Sequence, residues 1–501
     1  MTRRKMTQLL KDAFKQKTTG LGLNADEAFV GLADYGLFAE KMPPCLTSEG
    51  LSDHLSSKMK DLLNEAESKK IKGQLNKYIH SAVRYQAMRD INIPRHMAVP
   101  HPESHLIQCL LIKRVWSKIR KHCSSLHPFS RVFVRKLRDT PRIFAMNYHG
   151  SERWDQEERE LRFQTGAQYV VHSDISKCFS SIYTHSISWA MQGKPDAKNK
   201  KYRNDLSLEG NLLDKSCQIV ADAQTNGIHI GPHTSNVISE IILTKVDVGL
   251  REKGYKRVVR YIDDYRFYAK SYEEGEAFIR ELSMQLREYE LHINEGKTHI
   301  VALPQPCQED WVRELNCFRF SDGELSYSEI RRFLDLALHL VEETGKSSVL
   351  NYAIQKVSKR LTGRAKQMFA REVINLALRY PYLAPVLDVH LFEKHEFNDF
   401  RPINDFCQQL LEIGIRRIYP DAIAHALYYA IKFDIEGFSS EYLFKTLPIN
   451  DCVSLVLLWE YAQKYNLTDI KTAIHKKTAN LKNLEKRDAD AFWLLTRILH
   501  E

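Results

Sequence analysis

The segment that most constrains this chain is Arg257-Val258-Val259-Arg260-Tyr261-Ile262-Asp263-Asp264-Tyr265-Arg266-Phe267-Tyr268-Ala269. An apolar, aromatic run enters the acidic pair and another leaves it. Strand-forming residues on both sides of a short acidic turn predict a β-hairpin with Asp263 and Asp264 at its tip. Adjacent carboxylates repel, and each makes the other harder to ionise. Such a pair is either an ordinary solvated turn, where Asp is common, or a tip neutralised by a divalent cation. A surface turn needs no third carboxylate on another strand, whereas a cation site does. Asp174 closes the apolar strand Ala167-Gln168-Tyr169-Val170-Val171-His172-Ser173-Asp174, 89 residues before Asp263. Three carboxylates so delivered can hold two Mg²⁺ ions, which align a triphosphate with a hydroxyl for in-line phosphoryl transfer.

With 501 residues, 43% of them hydrophobic, the chain can bury a large core spread over two or three domains. Its net charge of +10 is concentrated. Thr2 to Gly20 carries six basic residues against Asp12, and Lys113 to Arg142 carries ten against Asp139. The first block reads as a solvated helix face. In the second, the interleaved Trp116, Phe129 and Phe133 point to nucleic acid, where phosphates release counterions and bases stack. Nine scattered cysteines without a C-x-x-C pair argue against a disulfide framework or a zinc site. No apolar stretch follows the basic N-terminus, and none approaches the ~20 residues needed to cross a bilayer. A cytoplasmic protein with no membrane partner is expected.

The fold class expected is α+β. Residues 1–75 read as a helical segment, 76–322 as a domain mixing helices with a small antiparallel sheet, and 323–501 as successive amphipathic helices. Within the mixed domain, Phe278, Ile279, Leu282 and Leu286 mark a helix over Glu274 to Glu290, and His299 to Leu303 marks a strand. The C-terminal helices include Ile330 to Glu343, Ala365 to Tyr380, Asp421 to Phe433, Cys452 to Tyr465 and Asp488 to His500. Their pairing suggests a HEAT-like stack or an irregular bundle, with scaffolding and oligomer contacts as its role.

Four segments occur in order: Val171-His172-Ser173-Asp174 with Phe179; Asn226-Gly227-Ile228-His229-Ile230-Gly231-Pro232-His233-Thr234-Ser235-Asn236; Tyr261-Ile262-Asp263-Asp264; and Leu291-His292-Ile293-Asn294-Glu295-Gly296-Lys297-Thr298. This order resembles motifs A, B, C and D of reverse transcriptases, closely over residues 170 to 300. The resemblance implies fingers and palm, with Asp174, Asp263 and Asp264 as ligands of two Mg²⁺ ions, or of Mn²⁺ in their place. It implies that Phe179 is a steric gate favouring dNTPs, although the same ring fits an ordinary core position. Gly231 and Pro232 would let the backbone approach the nucleotide, with Tyr261 beside it. Lys297 would serve the pyrophosphate as charge partner or proton donor, or be a solvated lysine. Ser235 and Asn236 would position backbone groups or cap a helix over Val237 to Leu250.

Ile230 stands where many members carry glutamine before the motif B glycine. That departure, with the helical C-terminal third in place of a thumb, is similar to bacterial abortive-infection (Abi) and unknown-group reverse transcriptases, in particular the prophage-borne Abi branch. Membership there would imply an antiphage, homo-oligomeric DNA polymerase that works without a template and attaches its product to a tyrosine. Tyr35, in Asp34-Tyr35-Gly36, is one candidate among 23 tyrosines. A templated enzyme with a bound noncoding RNA, and a nucleic-acid-binding scaffold with a vestigial palm, are the rival readings. His96 and His101 resemble a fingers-side motif. With no Cys or Glu following at the spacing of a zinc motif, a structural or template-side role is expected for them.

Overall fold

A computed structural model describes residues 23–59, 68–89, 93–123, 129–130, 133–134, 144–145, 151–306, 308–358, 361, 363–393, 400–481 and 486–499. The basic run Thr2 to Gly20, Cys307 and most of the second basic block beyond Cys123 lie outside them. The described strands are β1 (Val83–Met88), β2 (Pro94–Val99), β3 (Phe133–Val134), β4 (Phe144–Ala145), β5 (Tyr169–Asp174), β6 (Val258–Tyr261), β7 (Asp264–Ala269) and β8 (His299–Ala302). The chain divides into two compact units. One holds Met1–Phe38, Thr47–Ala82 and Val99–Gln305, and the other holds Ala39–Leu46, Val83–Ala98 and Pro306–Glu501.

In the first unit, four antiparallel strands run in the order β6-β7-β5-β8. The predicted hairpin forms, with Tyr261 opposite Asp264 and a two-residue tip of Ile262 and Asp263. Val171 and Phe267 point to one face of the sheet and are buried. The helix Tyr272–Arg287 covers that face with Phe278, Leu282 and Leu286, all at 0% exposure. Ser271 starts this helix by accepting the Glu274 N–H, which satisfies one of the orphan donors of its first turn. The helix His233–Glu252 begins earlier than its apolar pattern predicts, directly after Pro232. Ser235 and Asn236 therefore lie inside its first turn and do not cap it. A proline whose missing N–H costs nothing at a helix start explains the earlier boundary.

The helix Pro102–Cys123 places Trp116 in the core at 1% exposure, its indole N–H donating to the Leu23 carbonyl at 2.7 Å. Phe129 is also buried, with the Arg251 guanidinium 4.9 Å from its ring centre. These two rings pack the fold and are not open to bases, so the aromatic argument for a nucleic-acid surface fails for them. Lys118, Arg120 and Lys121 remain exposed on the same helix.

Among its described residues the second unit is helical apart from the β1–β2 pair. Its helices include Tyr327–Thr344, Ser348–Ser358, Gly363–Arg379, Arg401–Arg417, Pro420–Lys432, Cys452–Lys464 and Thr468–Leu481. A Ser326–Glu329 capping box starts the first of them, and Asp451 caps Cys452–Lys464 by accepting the Ser454 N–H. The expected helix over Asp488 to His500 is instead two short ones, Lys486–Asp490 and Trp493–Ile498. β1 packs on Pro420–Lys432 and Cys452–Lys464. There the Tyr85 hydroxyl and the Met88 N–H, the latter at 2.9 Å, both donate to the buried Asp421 carboxylate. No helix among the described residues is long and apolar enough to cross a membrane. The described cysteines are all free thiols.

Candidate active site

The sheet register brings the carboxylates together. Asp174, last residue of β5, lies directly opposite Asp264, first residue of β7, and opposed residues of an antiparallel pair hold their Cβ atoms ~5 Å apart. The Asp263 carbonyl accepts the Ile175 N–H at 3.3 Å, which ties the hairpin tip to the end of β5. Asp174 is buried, Asp263 half-buried and Asp264 exposed, so the group opens to solvent on one side. Burial, reinforced by the Asp174 charge, pushes the Asp263 carboxyl up to about 6. The same two causes raise Asp264. Carboxylates that resist ionisation in each other's presence attract a cation. Three hard oxygen donors without Cys or His suit Mg²⁺ or Mn²⁺ and not a soft metal.

The segment after Leu291 closes the other side. The Asn294 N–H donates to the Asp174 carbonyl at 2.7 Å, and the Ser176 N–H donates to the His292 carbonyl at 2.8 Å. The Thr298 hydroxyl pairs with Ser173 at 2.9 Å. These bonds deliver Lys297, whose ammonium donates to the Asp174 carboxylate. Its side chain is 61% exposed, so the lysine reaches the carboxylates from the solvent side.

Phe179 sits half-buried on the short helix Cys178–Ser181. Its carbonyl accepts the Ile228 N–H at 2.8 Å, the Ile182 carbonyl accepts that of Gly227 at 2.8 Å, and the Thr225 carbonyl accepts that of Thr184 at 2.8 Å. The segment after Asp174 is thus laced to the one before Gly231. Gly227 adopts φ +83°, and a Cβ there would meet the Ser180 carbonyl oxygen at 3.1 Å, so the lacing requires a glycine. Gly231 has φ +128° and leads into Pro232 and the helix behind it. Tyr261 is half-buried beside Asp264 across β6 and β7.

Arg260 is the residue that sequence reasoning missed. It is at 0% exposure, and its guanidinium donates to both Asp247 oxygens (2.8–3.0 Å) and both Glu240 oxygens (2.9 and 3.1 Å). Burial alone would lower its pKa, but the Asp247 and Glu240 carboxylates hold it well above its ordinary value. Its Nη1 also donates to the Ile262 carbonyl at 2.9 Å. Ile262 has φ +57°, a conformation that costs a β-branched residue about 1–3 kcal/mol. Arg260 therefore braces the strained tip from inside the core. A charged residue within the apolar run Val258-Val259-Arg260-Tyr261 was the available signal.

Tyr35 ends the helix Ala25–Tyr35, and its hydroxyl donates to Glu49 at 3.2 Å. The next residue, Gly36, accepts the His233 N–H at 2.8 Å, so this tyrosine stands beside the start of His233–Glu252 in an ordered setting. His96 is exposed on β2, whereas His101 precedes the helix Pro102–Cys123.

The family model described as reverse transcriptase (RNA-dependent DNA polymerase) matches residues 95–361, just over half of the chain. No curated protein matches it. Among solved structures it is similar to apo telomerase from Candida tropicalis truncated from the C-terminal domain, with 10% identity and a TM-score of 0.30. That match covers 46% of this chain and 51% of the telomerase chain, so the protein spans about half the length of that structure.

Proposed function

The chain belongs to the reverse-transcriptase family of RNA-dependent DNA polymerases and is a nucleotidyltransferase of that family, and from that premise we propose that it is an antiphage DNA polymerase of the abortive-infection type. The observation that carries the catalytic reading is the register pairing of Asp174 with Asp264, with Asp263 at the adjoining tip. These three carboxylates would hold two Mg²⁺ ions, which supply charge neutralisation and a more acidic attacking hydroxyl. The chain's own groups do the rest. Arg260 fixes the tip, Lys297 offers a proton and a positive charge on the pyrophosphate side, and Phe179 presses on the sugar of the incoming dNTP. Gly231 and Pro232 let the backbone approach the nucleotide, and Tyr261 flanks it.

Ile230 in place of glutamine and the helical residues 323–501, read as a HEAT-like domain replacing a thumb, support the defence-type assignment. On that reading synthesis is untemplated, a tyrosine hydroxyl is the primer, and the protein works as a homo-oligomer in the bacterial cytoplasm. Tyr35 is one candidate for that primer among the 23 tyrosines.

The test is to supply purified protein with Mg²⁺ and labelled dNTPs, without primer or template, then digest the product with protease or nuclease. Label that survives denaturation on the protein and is released by protease supports protein priming. A product of one defined sequence would point instead to a copied RNA. Asp263→Ala with Asp264→Ala should abolish incorporation, and full activity in that variant would overturn the mechanism. Phe179→Ala should admit NTPs at the expense of discrimination, read as the ratio of kcat/KM for dNTP and NTP.

A further inference from the structure

We propose that His80, His101 and Glu103 form a second metal site, specific for zinc, in the palm-bearing unit. One ligand atom from each lies within 4.8 Å of the other two. His80 Nε2 is 3.7 Å from Glu103 Oε2, and the two imidazoles stack with centroids 3.9 Å apart and planes 14° off parallel. Arms of 2.0–2.1 Å at tetrahedral angles place donors roughly 3.3 Å apart. The His80–Glu103 separation is already near that value. The widest gap closes by a swing of roughly 1.5 Å, less than one side-chain torsion step supplies. Stacked rings cannot both aim in-plane lone pairs at one ion, so binding would tilt them apart. The Glu103 side chain is 54% exposed, which leaves the ion a path in from solvent.

The backbone already holds the three positions in place. His101 accepts the His105 N–H at 2.9 Å, the first bond of the helix Pro102–Cys123, and Glu103 lies in that helix's first turn. The Ser104 hydroxyl donates to the Tyr78 carbonyl at 2.7 Å, joining this turn to the segment that carries His80. Binding would therefore turn side chains on a backbone that is already in place.

The donor chemistry separates this site from the palm. Two imidazole nitrogens and one carboxylate are a borderline set that selects Zn²⁺, with water in the fourth position, over the hard ions that suit three aspartates. The location gives it a role. The chain leaves the palm-bearing unit after Ala82 and returns at Val99. His80 stands just before the exit and His101 just after the return, so one ion would clip the neck of the β1–β2 excursion. In sequence, His96 is the nearest histidine before His101. His80, the true neighbour, is 21 residues upstream of His101 in sequence, outside any compact metal motif.

The experiment uses the full chain with Asp263→Asn and Asp264→Asn, which removes the palm as a competing site. After treatment with chelator, Zn²⁺ is titrated by calorimetry, and Co²⁺ is added as a spectroscopic probe. The expected result is one equivalent of Zn²⁺ bound, a Co²⁺ spectrum of tetrahedral nitrogen–oxygen ligation without thiolate charge transfer, and a Tm raised by zinc. Glu103→Gln, at an exposed position that leaves folding intact, should weaken Zn²⁺ binding at least about tenfold and remove the Tm rise. His101→Ala should do the same. Absence of binding, a thiolate band, or unchanged binding in Glu103→Gln would each overturn the proposal.

Discussion

Replacing Arg260 with Met tests how the acidic hairpin tip is held. The substitution keeps the side chain's length and apolar stem but deletes a guanidinium that is fully buried between Glu240 and Asp247. Four charge-assisted partners cannot be summed at face value, because folding had to strip water from all three ions. The net cost of removing one partner of a buried pair is about 3–5 kcal/mol, most of it from carboxylates left uncompensated. For a unit of this size that corresponds to a fall in melting temperature of roughly 5–15 °C. The deficit should be pH-dependent. Burial already raises the Asp247 carboxyl, and without Arg260 it rises further. A raised folded-state pKa means stability is lost as pH increases through it, so the variant should lie closer to the parent at pH 5 than at pH 8. Adding Glu240→Gln and Asp247→Asn removes the stranded charges and should recover most of the stability. It should not recover activity, because the Ile262 carbonyl still lacks its donor. Thermal melts and dNTP incorporation below the variants' melting points separate the two effects. A loss under about 1 kcal/mol in Arg260→Met would refute the buried-charge reasoning, and full activity in the triple variant would refute the brace.

Other outcomes follow from the same geometry. Asp263, pushed up to about 6, must lose its proton to bind a cation, so Mg²⁺ affinity and incorporation should fall as pH drops from 7.5 through that value, measured as an Mg²⁺ titration at each pH. Without Mg²⁺ the sign for stability is opposite. Asp263's contribution is present below its ordinary 3.8 and lost as pH rises through about 6, so excess Mg²⁺ should stabilise most at the alkaline end of a melting series. Gly227→Ala should cost about 1–2 kcal/mol for its left-handed backbone and raise the KM for dNTP as the loop shifts off Phe179. A KM and Tm equal to the parent would show that the lacing at Ser180 is not constraining. Tyr85→Phe should remove about 1–3 kcal/mol by leaving Asp421 short of a donor, read as faster amide exchange in β1.

The acidic hairpin and its sheet were legible because their signals are local. The acidic pair between two strand-forming runs defined a hairpin, and a strand ending in Asp174 required a sheet to receive it. Register then follows from side-chain alternation, since a slip of one residue would turn Val171 and Phe267 out of the core. Phe278, Leu282 and Leu286 likewise announced the helix behind the sheet. What stayed hidden depends on partners distant in sequence. Arg260 reads as one more surface charge until Glu240 and Asp247 are folded around it. Trp116 and Phe129 looked like stacking platforms because composition cannot distinguish a ring facing bases from one facing Leu23 or Arg251. The bond from the His233 N–H to the Gly36 carbonyl, beside Tyr35, likewise joins segments that only the folded chain brings together.

The bond from Tyr85 to Asp421 spans 336 residues of chain. At 5–20 residues per second, a ribosome needs roughly 20–70 s to make that much polypeptide. Throughout that time β1, with its buried-pattern residues Val83, Tyr85 and Ala87, has emerged without the helices that cover it. The nascent chain thus carries an uncovered strand until Pro420–Lys432 and Cys452–Lys464 are made. A copy truncated anywhere before Pro420 would display the apolar face of that strand permanently, as a surface on which other chains could associate. Shortening this protein from its C-terminus should therefore yield aggregates and not a smaller polymerase.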